Sequence, residues 1–218
     1  MRATAILLAL AASVVAAPKP APAFRAAPQI AALPDDTQPL VKSAVASMQK
    51  GDLASAKKAL EDVLKVTPNH AVALLDLGIV AYRRKNFSEA ESLLQRAVRS
   101  DPELAQGWMI LGIVRQEQGR LDASLAALAQ AVFLDPKNAR AHHYLGVTIG
   151  RKGWYSGAED EMRKAIELQP DYSEAHFNLA VFYLHRQPPA IELARRHYQK
   201  ALDLGAAPDA EVAKSIGE

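Results

Sequence analysis

With 218 residues, the chain has room for one compact domain or a short repeat array with accessory segments, and not for a large multidomain enzyme. Half of the residues are hydrophobic but only 6% are aromatic, so Ala, Leu and Val carry the apolar content, which suits closely packed helices better than sheets. A net charge of +2 is too small to draw nucleic acid or an anionic membrane surface, and the absence of cysteine excludes disulfides, thiol nucleophiles, Cys-ligated zinc and a lipid-modified cysteine anchor.

Met1-Arg2 forms a short positive start, and Ala5 to Ala17 is an apolar run that stops at Pro18. A membrane-spanning helix needs roughly 20 apolar residues, so this run is too short to span and has the length of a signal-peptide core. Residues 1–17 are therefore expected to be a signal peptide, cut after Ala16 or Ala23, which places the processed chain in the bacterial periplasm or outside the cell with no membrane span. Arg2 and Lys19 are the only charges among the first 23 residues, so processing leaves the chain close to neutral. Pro18, Pro20, Pro22, Pro28 and Pro34 make 18–36 a stiff linker without helical periodicity.

From residue 37 onward, one period of 34 residues organises the chain. Gly78, Gly112, Gly146 and Ala180 keep that spacing, as do Leu77, Leu111, Leu145 and Leu179, Pro68, Pro102, Pro136 and Pro170, and Ala97, Ala131 and Ala165. Each period reads as helix, turn, helix. The Gly or Ala after the Leu lets a second helix approach closely, helped by Ala56, Ala90, Ser124 and Ala158 on that helix. Gly119 and Gly153 sit where the chain reverses, Asp52 and Asp122 are placed to cap second helices, and the late Pro stops them. The first period has Ser43-Ala44 in place of the Leu-Gly pair. The fifth carries Gln187-Pro188-Pro189 at its turn, which delays Ala194, Tyr198 and Ala201 by two residues. Beyond it, Pro208 to Ile216 predicts a short helix with Val212 and Ile216 on one side, able to cover the end of the array.

These ladders, with Trp108 in the third period and Asp-Pro at 101 and 135, resemble the tetratricopeptide repeat family. The resemblance sets five repeats at 37–70, 71–104, 105–138, 139–172 and 173–207, with a cap at 208–218. It implies an all-α fold, a right-handed α-solenoid of about five helical hairpins with a short C-terminal capping helix.

No catalytic constellation accompanies this pattern. There is no G-x-S-x-G elbow and no Gly-rich phosphate loop, so neither an enzyme nor a cofactor is expected. His142 and His176, one period apart at the position of Trp108, lack a further ligand at metal-binding spacing and read as packing residues; no metal site is expected. Arg83-Arg84-Lys85 and Arg151-Lys152 end first helices, where cations favour the helix dipole, and form no stripe for nucleic acid.

The resemblance also implies a binding surface, because the family's first helices line an inner, concave face through positions two, five, nine and twelve of each repeat. Here these give Val72, Leu75, Ile79 and Tyr82, then Gln106, Met109, Ile113 and Gln116, then Arg140, His143 and Val147, then Glu174, Phe177, Val181 and Leu184. Such a strip either receives an apolar or amphipathic segment of a partner or packs between neighbouring first helices. The Lys and Asn pattern of members that grip chaperone C-termini is missing: Leu75 and Ile79 are followed by Ile110, and Met109 and Ile113 by Tyr144. The function expected is an exported scaffold that binds another protein or peptide. The alternative is a periplasmic chaperone or envelope assembly factor with several clients, and the oligomeric state is open.

Overall fold

The computed structural model describes residues 37–217, so the signal peptide and linker expected at 1–17 and 18–36 lie outside the described residues. Among these, every regular element is a helix: α1 (Gln38–Gln49), α2 (Leu53–Val66), α3 (Ala71–Arg83), α4 (Phe87–Ser100), α5 (Ala105–Glu117), α6 (Leu121–Leu134), α7 (Ala139–Arg151), α8 (Tyr155–Leu168), α9 (Ser173–Leu184), α10 (Ile191–Asp203) and α11 (Ala210–Ile216). They form two compact units. Residues 37–134 hold three helical hairpins, α1–α2, α3–α4 and α5–α6; residues 135–217 hold two, α7–α8 and α9–α10, with α11 against α10. This is the all-α solenoid class, hairpin stacked on hairpin within each unit.

The hairpin turns share one backbone solution. Gly51, Lys85, Gly119 and Gly153, each one period apart, take φ of 78°, 59°, 74° and 82°. A left-handed residue at this point ends the first helix and turns the chain back, and glycine adopts it without a Cβ clash. Lys85 is the exception and carries the strain. In the fifth hairpin the lengthened turn contains a cis Gln187–Pro188 bond instead, and the register resumes beyond it.

Close approach of the two helices explains the small residue at the middle of each first helix. A Cβ on Gly78 would lie 2.7 Å from Leu94 Cγ, on Gly112 2.5 Å from Leu128 Cγ, and on Gly146 2.9 Å from Met162 Cε. The opposing side chains Leu94, Leu128 and Met162 keep the same period and are fully buried. In the fifth hairpin the corresponding large residue is Tyr198, two positions late as the turn requires, and its hydroxyl accepts from the Asp209 amide at 2.7 Å. That bond ties the start of α11 to α10, while Val212 and Ile216 fill the end of the core.

Second helices begin on side-chain caps where the sequence allows. Asp52 accepts from the Ser55 amide at 3.0 Å and Asn86 from Glu89. Asp122 lies in the first turn of α6, which starts at Leu121, and a negative charge there favours the helix dipole. First helices α3 and α7 are capped by His70 and Asn138.

Candidate functional site

The predicted binding face is best followed helix by helix within each unit. On α3, Val72, Leu75 and Ile79 recur at helical spacing along one face, beside the line on which Gly78 packs against α4. All three are buried, Leu75 and Ile79 at 3% exposure. Tyr82, one turn on, is partly exposed, with its ring 6.0 Å from Phe87. On α5, Met109, Ile113 and Gln116 are also buried. In the 37–134 unit the structure thus brings the predicted residues together on adjoining first helices, with Tyr82 retaining the most open surface of the seven.

Asp76 shares this face and was not among the residues the family positions select. It lies one turn after Val72, only 5% exposed, and among the described residues no hydrogen bond or ion pair reaches its carboxylate. Burial alone pushes its pKa up to about 7.

In the 135–217 unit the same face is polar and aromatic. Arg140 is partly exposed, and Val147 and Val181 join the core that also holds Phe177, whose ring lies 6.2 Å from Tyr198. His143 is buried between two partners: Asn178 Nδ2 donates to its Nε2 at 2.9 Å, and its Nδ1 lies 3.2 Å from the Tyr172 hydroxyl. An amide nitrogen can only donate, so Nε2 accepts and the proton sits on Nδ1. Burial, assisted by the Arg140 charge, lowers the His143 pKa to about 3, which keeps the ring neutral. Asn178 Oδ1 is left without a partner.

His142 and His176 have a definite structural role. Trp108 Nε1 donates to the Pro102 carbonyl at 2.9 Å, His142 Nε2 to Pro136 at 3.0 Å and His176 Nε2 to Pro170 at 3.2 Å. The rings at one repeat position therefore tie each first helix to the proline that closes the preceding repeat. Their other nitrogens meet Glu161 at 2.7 Å and His197 Nδ1 at 2.9 Å. Burial, then the neighbouring His176, Arg196 and Arg163, lowers the His197 pKa to about 4. Among the described residues no group of His, Cys, Asp and Glu is arranged to hold a metal ion, and no helix is long and apolar enough to cross a membrane.

Ion pairs link neighbouring hairpins at a repeated position. Glu91 accepts from Arg115 Nε at 3.0 Å and Arg120 Nη1 at 2.7 Å, and two periods later Glu159 accepts from Arg186 Nε at 2.9 Å. Both glutamates are buried, so these contacts hold hairpins in register and leave no free acid there for chemistry.

Stacked helical hairpins with a turn, a small residue and a closing proline at fixed register define a helical-repeat scaffold. Family models described as tetratricopeptide repeat match residues 47–113 and 161–203, and one described as TPR repeat matches 112–153. The chain belongs to the tetratricopeptide repeat family, whose members are protein-interaction scaffolds and generally non-enzymatic. Solved structures similar to it include MamA from Desulfovibrio magneticus RS-1, at 19% identity and a TM-score of 0.70, covering 79% of this chain and 96% of that one. PilF from Pseudomonas aeruginosa is similar at 20% identity and a TM-score of 0.74, covering 82% of this chain and 80% of that one. YrrB, described as a TPR protein with an unusual peptide-binding site, is similar at 23% identity and a TM-score of 0.66, covering 82% of this chain and 90% of that one. At these identities the likeness shows the fold. No curated protein gives a significant sequence match.

Proposed function

We propose that the chain is an exported scaffold that binds a segment of a partner protein on its first-helix face. The observation that carries this reading is the register itself. Four first helices carry Val72, Leu75, Ile79, Tyr82, Met109, Ile113 and Gln116 in one unit and Arg140, His143, Val147, Phe177 and Val181 in the other, at positions the family uses for partners. The peptide-binding site named for YrrB, a structural relative, supports it. Export rests on the apolar run of residues 5–17 and its stop at Pro18.

The full chain, tagged at its C-terminus, is exposed to envelope extract beside Tyr82→Glu and Arg140→Glu variants, which alter the partly exposed residues of each unit. One dominant partner, lost from at least one variant, is expected. Many clients would mean a chaperone, and capture unaffected by either change would move the site off this face. Cell fractionation and N-terminal sequencing test export; a chain retained in the cytoplasm with Met1 intact would refute it.

A further inference from the structure

Asp76 is a costly residue where it stands. Ala71 to Tyr82 is otherwise apolar or small, and the side of α3 that carries Asp76 also carries Val72, Leu75 and Ile79. A carboxylate moved out of water without a counter-charge loses several kcal/mol of hydration, and the usual compensation is an ion pair or a set of amide donors. Neither reaches Asp76 among the described residues. The cationic group two turns further along α3, Arg83, directs its guanidinium to the Met48 carbonyl at 3.3 Å. The buried Glu91, by contrast, is satisfied by two arginines. The hairpins thus pair one buried acid fully and leave another unpaired on the face read above as the partner surface.

We infer that the first-helix face of the 37–134 unit recognises an apolar partner segment carrying one lysine or arginine, whose cationic head pairs with Asp76. This rests on the proposed function. An apolar strip by itself accepts any hydrophobic segment, whereas a single unpaired acid within it makes the choice selective: a basic side chain restores the missing counter-charge, and an acidic one adds repulsion. Tyr82, partly exposed on the same helix, then offers its ring to the segment, and the aliphatic stem of lysine or arginine matches the apolar surroundings of Asp76.

The test is selection from a display library of random ten-residue peptides, with the full-length chain and its Asp76→Asn and Asp76→Lys variants as baits. The wild type is expected to enrich apolar peptides with one Lys or Arg. Asp76→Asn should lose that preference, and Asp76→Lys should exchange it for Asp or Glu. A selected peptide synthesised with Lys or with norleucine at the basic position should bind the wild type at least about tenfold more tightly in the Lys form, with no difference on Asp76→Asn. Apolar peptides enriched without a basic preference, and equally by wild type and Asp76→Asn, would overturn this inference and leave the proposed function standing. No enrichment by any bait would overturn both. Asp76→Asn nearly preserves the side-chain shape, so the comparison holds even where the lysine variant folds poorly.

Discussion

The 37–134 and 135–217 units are built on one repeat, yet they bury opposite kinds of titratable group on their first helices. The first buries an unpaired acid, Asp76, in an apolar face; the second buries a neutral imidazole, His143, within a hydrogen-bonded cluster. The repeat framework fixes where helices meet through its glycines, alanines and prolines. It leaves the remaining positions of each first helix free to carry different chemistry.

The sharpest way to compare the units is at the shared helix contact. Gly112→Ala forces a Cβ into the buried Leu128 branch point and its backbone amide and should lower stability by about 2–3 kcal/mol. Gly146→Ala meets the flexible Met162 tip first and should cost about 1 kcal/mol, both read from urea midpoints. Equal losses would mean the two contacts are equally rigid.

Asp76→Asn should raise stability at pH 7 by about 1–2 kcal/mol. The folded pKa of about 7 exceeds the ordinary 3.8, so between these values the native carboxyl keeps a proton that the unfolded chain gives up. Its stabilising share is present at pH 3 and lost as pH rises through 7, and the Asn variant removes that slope. The variant should therefore be more stable and bind basic peptides less well.

The 135–217 unit should respond in the opposite direction. His143 and His197 have folded pKa values of about 3 and about 4 against the ordinary 6.5, so as pH falls below 6.5 the unfolded chain takes up protons that the native unit refuses. Hydrogen exchange in α7, α9 and α10 should accelerate between pH 6.5 and 4.5, after correction for intrinsic rates, by an amount equivalent to about 1 kcal/mol. A smaller gain, about 0.5–1 kcal/mol, is expected for Lys85→Gly, which relieves the left-handed turn that Gly51, Gly119 and Gly153 already occupy without strain.

The repeat was legible in the sequence because helix contact, turn and stop each demand a particular residue type at a fixed interval, and the chain repeats all three. The α1 helix was recoverable even without the Leu-Gly pair, since Gly51 and Asp52 set the start of α2 and leave one helix length before it. The tie between His142 or His176 and the preceding proline carbonyl needed the fold, although their spacing to Trp108 already marked one shared role. Periodicity identified the side of α3 that Leu75 and Ile79 occupy, but not how deeply they are buried in the chain. Asp76 had a signal too: one acid in an apolar helix, at a position the family's usual contact register passes over.

The most direct test of the scaffold account is hydrogen exchange on the full chain, read helix by helix, alone and with the partner captured from envelope extract. Added protection in α3 and α5, with α4 and α6 unchanged, is the predicted result. Protection confined to the second helices, or none in the 37–134 unit, would contradict recognition by its first-helix face.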